Sequence, residues 1–383
     1  MDNIHSLKFI DRIIGRSLCS LFPRPRFFDR GPVRKILIIR PGGIGDAVLL
    51  SSVISCLKKT TDYLHITILA ERRNAGVFPL IPSVDEVFCY DRPLEFIKTL
   101  RSRYDVVIDT EQWHRLSAVV AGLIRAPIKI GFDTNERRRM FTHGILYDLC
   151  AYEPDNFFAL LQPLGAYIQK DVGTITLSLT PAAVIRASQL LKPLSSDPFV
   201  VIFPGASIPE KRWGAERFRV VSKWLSEDGY RIVVVGGMED REDGDVIVGT
   251  GGLNLAGMTT LAETAAVIAR SRLLISGDSG VLHLAVGLDI PTVSLFGPGI
   301  AKKWAPKGEK HVVLNRNLLC SPCTYFGTTP PCPCVVRCMK EITADRVMMA
   351  AVSLLQRETE SRNQNPSRIA RLSPQTSEIK LQS

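Results

Sequence analysis

The sequence predicts an α/β protein of two domains, each a parallel sheet with helices on both faces. Its 383 residues exceed what a single hydrophobic core usually serves. Short apolar runs alternate with helical patterns along most of the chain, as parallel sheets require. The alternation is broken near residues 192–198, where two prolines among small polar residues disfavour both helix and central strand. We therefore predict an N-terminal domain at residues 34–190 and a C-terminal domain at residues 191–358.

The N-terminal series begins with a strand, a glycine-rich loop and a helix. The apolar run Lys35–Arg40 forms the strand, and an apolar helical pattern extends from Ala47 to about Lys59. Further strands of this domain are predicted at Leu64–Ala70, Val84–Tyr90, Asp105–Asp109 and Pro127–Ile130.

The C-terminal series repeats the same alternation. Its strands are predicted at Phe199–Phe203, Arg231–Val235, Arg272–Ser276 and Thr292–Phe296. Its helices are predicted near Ala215–Glu227, Thr260–Arg270 and Val281–Gly287. A last helix, at about Thr343–Gln356, is expected to cross back to the N-terminal domain.

The two ends of the chain differ in composition from the domains. Residues 1–35 carry eight basic and three acidic residues, which is half of the net charge of +10. Apolar residues recur there at roughly helical spacing, so residues 1–33 form a basic amphipathic extension that suits an anionic membrane surface. The alternative is a helix packed on its own domain. The polar residues 359–383 predict a disordered tail.

Composition also limits the partners and the compartment. The interleaved aromatic residues and base-reading motifs of nucleic-acid binding are missing, so we expect no nucleic-acid partner. No run of eighteen uncharged apolar residues occurs, and the apolar segment near the start lacks a small-residue cleavage site. We therefore expect a protein of the cytosol, or of the cytosolic face of a membrane if the extension binds lipid.

The first candidate functional segment is the glycine loop directly after the first strand. Ligands of open α/β domains bind at the carboxyl ends of strands, and Gly42, Gly43 and Gly45 let the backbone approach a ligand closely. Asp46 follows and would face the cleft; the alternative is an ordinary helix cap. The spacing of these glycines does not fit the G-x-G-x-x-G pattern of nicotinamide and flavin sites.

Two further loops of the C-terminal domain combine small residues with polar and charged ones. Ser207, Lys211 and Arg212 follow one strand, where the cations could neutralise a diphosphate. Asp278, Ser279 and Gly280 follow another strand and begin a helix that carries His283 one turn later. The free N–H groups of such a helix start bind phosphate, so nucleotide diphosphate binding is predicted, with no metal site.

Nine cysteines are present, and five of them are clustered between residues 320 and 338. Cys19, Cys56, Cys89 and Cys150 are scattered and are interpreted as reduced core residues. The cluster comprises Cys320, Cys323, Cys332, Cys334 and Cys338. Its spacing leaves three interpretations open, which are a zinc site, reduced thiols and a local disulfide.

Three separated blocks together resemble the heptosyltransferases of glycosyltransferase family 9. They are Ile39 to Asp46, Pro204 to Ser207 with Lys211-Arg212-Trp213, and Gly277 to His283. The resemblance implies the GT-B architecture, in which two Rossmann-like domains with parallel sheets face each other across a central cleft. It also implies an N-terminal acceptor-binding domain and a C-terminal domain that binds the nucleotide-sugar donor.

The resemblance implies an inverting, metal-independent enzyme of lipopolysaccharide biosynthesis and a role for each matched residue. It would move a heptose from ADP-heptose to the lipopolysaccharide inner core or a related lipid-linked saccharide, with no cofactor. Asp46 matches the family's catalytic base. The matched donor-binding residues are Ser207, Lys211, Glu239, Met258, Asp278, Ser279, Gly280 and His283. Where the family has two hydroxyls after Pro-Gly, this chain has Ala206 and Ser207.

Two other functions remain open at this stage. A sugar-nucleotide epimerase could use the same fold, and a non-catalytic relative could bind glycolipid without transferring sugar. The basic residues Arg125 and Lys129 and the run Arg137-Arg138-Arg139 suit a phosphorylated acceptor, or else form a solvated face.

Overall fold

The computed structural model describes residues 11–21, 23, 25, 31–60, 63–165 and 177–364. Two six-stranded sheets organise the chain, one in each half. The strands of the N-terminal sheet are β1 Lys35–Arg40, β2 His65–Ala70, β3 Glu86–Cys89, β4 Val106–Asp109, β5 Ile128–Phe132 and β6 His143–Ile145. Those of the C-terminal sheet are β7 Phe199–Phe203, β8 Arg231–Val234, β9 Leu253–Asn254, β10 Leu273–Gly277, β11 Thr292–Phe296 and β12 His311–Asn315.

Both sheets have the same strand order. The N-terminal order is β3-β2-β1-β4-β5-β6, and the C-terminal order is β12-β11-β10-β7-β8-β9. Every pairing is parallel. Each half is therefore a doubly wound Rossmann-like domain, and the predicted fold class is confirmed. The order in which successive strands are added reverses at one point in each sheet, between β1 and β4 and between β7 and β10. Folds of this class bind ligands at such switch points.

Helices connect the strands and cover the sheets. Those up to residue 190 are α1 Arg16–Leu21, α2 Ile44–Leu49, α3 Ser51–Thr60, α4 Arg72–Ala75, α5 Pro93–Arg101, α6 Arg115–Leu123, α7 Glu153–Ala159 and α8 Pro181–Leu190. Those that follow are α9 Ala215–Glu227, α10 Arg241–Val248, α11 Leu261–Ile268, α12 Gly280–Gly287, α13 Ala301–Trp304, α14 Arg337–Lys340 and α15 Ala344–Gln364. In the described part of the chain, none of them is long and apolar enough to span a bilayer.

The domain boundary differs from the predicted position at residue 190. Helix α8 packs against α11 of the C-terminal domain, and Arg270 donates a hydrogen bond to Ser188 at 2.6 Å. The backbone N–H of Leu177 also donates to Gly287. Helix α8 therefore lies with the C-terminal domain, whereas the residues just before it contact both domains, since the N–H of Ser178 donates to Leu80.

The last helix does not cross back to the N-terminal domain as expected. α15 packs on α9 and on strands β10, β11 and β12, and buries Val347, Ala351 and Leu354 in the core of the C-terminal domain. It also includes residues 359–364, the first six residues of the predicted tail. Residues 365–383 of the predicted tail lie outside the described residues.

The described part of the N-terminal extension packs on its own domain. A π-helical turn, Asp11–Gly15, leads into α1, and both contact α6. Asp11 is buried, and its carboxylate accepts hydrogen bonds from the N–H groups of Arg115 and Leu116 at 2.7 Å each. The N-cap residue of α6 makes no side-chain hydrogen bond, so Asp11 accepts from backbone N–H groups of the first turn that would otherwise lack a partner. Residues 1–10 lie outside the described part.

Candidate active site in the interdomain cleft

A cavity of about 500 Å³ lies between the carboxyl ends of the two sheets. From the N-terminal domain it is lined by Gly43, Ile44, Gly45, Asp46 and Arg73. From the C-terminal domain it is lined by Phe203, Ala206, Ser207, Lys211, Glu239, Asp240, Asp278, Ser279, Gly280, Val281, His283 and Trp304. The loops after β1, β7 and β10 thus meet at both switch points, as expected of a ligand site in this fold.

Asp46 lies inside the first turn of α2 rather than at its cap. The cap position is Gly43, and no side chain donates or accepts a hydrogen bond there. The alternative that Asp46 is an ordinary helix cap is therefore wrong. About a fifth of the side chain is exposed, toward the cavity. Burial raises the pKa of Asp46 from its usual 3.8 to about 6, although Arg40 opposes the shift.

Arg40 holds the acidic side of the site together from the end of β1. Its guanidinium is 1% exposed and lies 3.3 Å from the Glu111 carboxylate and 3.8 Å from that of Asp46. It also donates to the backbone oxygens of Pro41 at 2.6 Å and Thr110 at 2.9 Å. These bonds fix its planar group, so one buried cation faces two carboxylates at the base of the cavity.

Lys211 and Asp278 form an ion pair on the opposite wall of the cavity. The distance between Lys211 Nζ and the Asp278 carboxylate is 2.6 Å, and both side chains are largely buried. Lys211 ends a 3₁₀ turn, Pro209–Lys211, that follows β7. Arg212, the other predicted cation of this loop, turns away and pairs with Asp240 and Asp243 at 3.2 and 3.3 Å. Lys211 is thus the cation of this loop that lines the cavity.

The start of helix α12 contributes backbone donors and a buried imidazole. Ser279 caps the helix by accepting from the N–H of Leu282, and it shares a hydrogen bond with Ser276 at 2.8 Å. His283 is 3% exposed, and burial lowers its pKa to about 4, so the ring is neutral. Within the described residues its Nδ1 has no hydrogen-bond partner. An anion at the helix start would meet N–H groups and a neutral ring.

Two glycines let the site helices of the two domains touch. A side chain at Gly45 would approach the His283 ring to 2.8 Å, and one at Gly280 would approach Ile44 to 2.6 Å. Helices α2 and α12 therefore cross with their backbones in close contact. This crossing sets the distance between Asp46 and the start of α12.

The remaining predicted residues lie around this centre at different distances. Ser207 and Glu239 line the cavity and are exposed to it. Met258 is outside the lining and is 45% exposed in the loop after β9. Gly42 lies just behind the lining, with φ of +102° that suits glycine, and its N–H donates to Glu71 at 3.1 Å.

The sequence profile of glycosyltransferase family 9 (heptosyltransferase) matches residues 94–330, which is more than half of the chain. The chain belongs to this family. Lipopolysaccharide heptosyltransferase 3 of Escherichia coli is 28% identical over 287 residues, covering 68% of this chain and 83% of the relative. Lipopolysaccharide heptosyltransferase 2 of Salmonella typhimurium is 27% identical over 316 residues, covering 73% and 87%. The protein is therefore a glycosyltransferase.

Solved structures agree on the GT-B fold of this glycosyltransferase. The E. coli ADP-heptose LPS heptosyltransferase II superposes with a TM-score of 0.70 at 23% identity, covering 85% of this chain and 99% of that one. A family 9 glycosyltransferase from Veillonella parvula gives the same TM-score and identity, covering 85% and 97%.

Two of the basic residues that the sequence suggested for the acceptor have structural roles in this glycosyltransferase. Arg137 is fully buried and pairs with Asp109 at 2.6 Å. Lys129 is 6% exposed and donates to the backbone oxygen of Gly122. Those two assignments are wrong. Among the residues that the structure describes, the basic side chain of this domain on the cavity wall is Arg73, which sequence reasoning missed. Its position just after β2, at the carboxyl edge of the sheet, was the signal that could have revealed it.

Four of the five clustered cysteines lie in the long loop between β12 and α14, and Cys338 lies in α14 itself. None of the nine cysteines of the glycosyltransferase forms a disulfide within the described residues. Cys320, Cys323, Cys332 and Cys338 line a separate space of about 40 Å³. A hydrogen bond with Cys320 raises the pKa of Cys334, and burial raises that of Cys338. Among the described residues, no three His, Cys, Asp or Glu side chains are arranged to hold a metal ion, so the zinc alternative has no ligand set here.

Contrary to the prediction from the sequence, not all of the four scattered cysteines lie in the core. Cys19 and Cys89 are buried, and Cys56 is half-buried. Cys150 is exposed, so its interpretation as a core residue is wrong. It lies in a turn before α7, where an apolar neighbour in sequence, Leu149, is also exposed.

Proposed function

We propose that this glycosyltransferase moves a heptose from ADP-heptose to the lipopolysaccharide inner core or a related envelope glycolipid. The observation that carries the proposal is the placement of Asp46 opposite Lys211 and the start of α12 across one cavity. A base and an anion-binding wall are what displacement of a nucleotide diphosphate by a hydroxyl requires. The relatives named lipopolysaccharide heptosyltransferases, aligned over most of their length, support the choice of sugar and acceptor.

Asp46 is the proposed general base. With a pKa of about 6 it is ionised at neutral pH yet remains basic enough to take a proton. It removes the proton of the acceptor hydroxyl as that oxygen attacks the anomeric carbon. The bond from this carbon to the diphosphate breaks on the opposite face of the sugar, so the configuration inverts. Arg40 holds the carboxylate in place from behind.

The leaving diphosphate gains negative charge in the transition state, and the C-terminal domain supplies the groups that stabilise it. Lys211 provides a cation, and the first turn of α12 provides N–H donors from Gly280 and Val281. His283 contributes a neutral ring at the same place. We assign Ser207 to the diphosphate side, Glu239 to the ribose and Met258 to the nucleobase. Because these groups meet the phosphate charge, the proposal includes no metal ion.

The decisive experiment is release of ADP from ADP-heptose, with ADP-glucose as the comparison donor. Release that depends on a truncated lipopolysaccharide acceptor, survives excess chelator and is lost in Asp46→Ala supports the proposal. The matched control is Asp197→Asn, because Asp197 is half-exposed, pairs with Arg231 and precedes β7, away from the cavity. Equal release without acceptor contradicts the transferase assignment, and equal activity in Asp46→Ala contradicts the base.

We further propose that the enzyme works at the cytoplasmic face of the inner membrane, where its acceptor lies. The described part of the extension presents Ile14 and Leu21, which are 48% and 79% exposed, beside the exposed Arg16. Apolar residues beside a cation favour an anionic bilayer. Cosedimentation with vesicles containing anionic lipid, and its reduction in Leu21→Glu, tests this. Equal binding to neutral vesicles, or no effect of Leu21→Glu, argues against it.

A further inference from the structure

Lys303 of the C-terminal domain is buried in the N-terminal domain. It lies in helix α13, is 3% exposed, and its Nζ is 2.9 Å from the Glu153 carboxylate. The same Nζ lies 3.3 Å from the backbone oxygen of Asp148 and 4.4 Å from the centre of the Tyr147 ring. Lysine is almost never fully buried unless it is paired. This pair joins the two domains, so it exists only while they are in contact.

Glu153 is prepared to hold this lysine. Its carboxylate is completely buried at the start of α7. One oxygen accepts from the Tyr147 hydroxyl at 2.8 Å, and the other accepts from Gln112 at 2.7 Å. These two donors come from the N-terminal domain and remain when the domains separate, whereas the ammonium of Lys303 leaves. A buried carboxylate then keeps its neutral donors but loses its countercharge.

The charge of Glu153 acts on Asp46, because both face the same buried cation. The groups that act on Asp46 are Arg40 from β1, Glu111 after β4, Glu153 from α7 and Asp278 after β10. Asp278 is paired with Lys211, neutral His283 lies on α12, and Arg73 lies on the cavity wall from α4. Arg40 is therefore shared by Asp46, Glu111 and Glu153. Lys303 supplies a further cation to this set through its contact with Glu153, and Arg137 acts on Glu111.

We propose that Lys303 is a positioning residue through which contact between the domains prepares Asp46 to act as the base. When the domains meet, Lys303 neutralises Glu153, and Arg40 is left to Asp46 and Glu111. When they separate, the unpaired Glu153 repels a negative charge on Asp46, which then holds its proton more tightly. The base is fully active in the arrangement that also places the anion-binding wall opposite it. This inference rests on the proposed function for Asp46.

The first test is the pH dependence of kcat/KM for ADP release in Lys303→Met, with ADP-heptose and truncated lipopolysaccharide. The acid limb is expected to move upward by roughly 0.5–1 pH unit, because Asp46 faces one more uncompensated negative charge. Lys302→Met is the matched control, since Lys302 is exposed on the same helix. The double variant Lys303→Met/Glu153→Gln removes both charges and is expected to return the limb to the wild-type position.

A second readout does not need activity. The difference in unfolding free energy between wild type and Asp46→Asn changes with pH as Asp46 ionises in the folded protein. The pH midpoint of this change is expected to move upward by a similar amount when Lys303→Met is introduced into both the wild type and Asp46→Asn. This measurement remains decisive if the wild-type enzyme releases no ADP, an outcome that would overturn the proposed function alone.

A purely structural lysine gives a different result. Lys303→Met would then lower stability while leaving both midpoints within about 0.2 pH unit of wild type, and that outcome overturns the proposal. It is also overturned if the limb stays displaced in Lys303→Met/Glu153→Gln, because the shift would not come from Glu153. Removing both members of a buried pair is far less destabilising than removing one, so the double variant is expected to fold.

Discussion

At the scale of single residues, the acidity of Asp46, the proposed base, is expected to set the pH range of the reaction. The base acts when it is ionised, and its pKa is raised to about 6 chiefly by burial. We therefore expect kcat/KM to fall about tenfold per unit below pH 6 and to level off above it. A pH–rate profile of the free enzyme measures this directly. An acid limb near pH 4 would show that Asp46 is as acidic as an exposed carboxyl.

The same shift has a consequence for stability. A carboxyl whose pKa is raised in the folded state binds protons more tightly there, so folding loses stability as the pH rises from 3.8 to about 6. Asp46→Asn removes this loss, and we expect it to increase the unfolding free energy by about 1–3 kcal/mol above pH 6 and to change little below pH 4. Urea unfolding at pH 7.5 and pH 4 measures both.

Asp197→Asn serves as the matched control for this stability measurement. Its ion pair with Arg231 is half-exposed, so the expected change is at most about 1 kcal/mol. A loss of stability in Asp46→Asn at pH 7.5 would contradict the view that the buried charge opposes folding.

At the scale of secondary-structure elements, the crossing of α2 and α12 depends on its glycines. A methyl group at Gly45 would lie 2.8 Å from the His283 ring, so the helices must move apart. We expect Gly45→Ala to lower kcat/KM at least roughly tenfold, because a shift of about 1 Å misplaces the base relative to the leaving group. Steady-state kinetics with ADP-heptose measure the loss.

Gly76→Ala is the matched control for the crossing. Gly76 also faces the C-terminal domain, but a methyl group there would lie 3.6 Å from Leu261, which is an ordinary contact. We expect near wild-type kinetics from this variant. Equal effects of the two substitutions would mean that the crossing of α2 and α12 has no special role.

The elements that the sequence predicted are those with a strong local pattern. β1, β7, β10 and β11 are buried apolar runs, and the loops after the first three carry the expected functional residues. β6 and β9 are three and two residues long, too short for any periodicity, and β12 is largely half-buried. The predicted first helix is broken at Leu50 into α2 and α3, a detail that apolar spacing does not reveal.

The site was predictable where the chemistry is local and not where it depends on long-range contacts. Asp46, Lys211 and His283 follow recognisable loops, so their positions could be inferred. The pairing of Lys303 with Glu153 joins residues 150 positions apart, and neither has a distinctive sequence context. A run of three arginines suggests a basic surface and therefore a role for Arg137 in acceptor binding. In the structure, Arg137 instead pairs with Asp109 at the end of β4, and both side chains are buried.

At the scale of the whole molecule, the cysteine-rich loop forms a further contact between the domains. Phe326 stacks on Trp113 of the N-terminal domain with ring centres 4.5 Å apart, and lies 5.9 Å from Tyr147. We expect Phe326→Ala to weaken the contact between the domains, lower Tm by a few degrees and increase the radius of gyration. Thermal unfolding and small-angle X-ray scattering measure the two effects.

Tyr325→Ala is the control for this contact, since Tyr325 is the neighbouring aromatic residue and is 51% exposed. Its removal is expected to leave the radius of gyration unchanged. If Phe326→Ala behaves in the same way, the stack does not hold the domains together.

Because Phe326 stacks on Trp113, the intrinsic fluorescence of Trp113 is expected to report whether the two domains are in contact. The indole is 38% exposed while Phe326 covers one face, and separation of the domains would bring water to that face. Tryptophan emission shifts to longer wavelength and is quenched more readily by acrylamide when water reaches the ring. The chain has four tryptophans. Trp213 is buried and Trp224 packs on the core of the C-terminal domain, whereas Trp304 lines the cavity, so the signal of Trp113 is read in a Trp304→Phe background. Opening and closing could thus be followed in solution, without a label, as substrate is added.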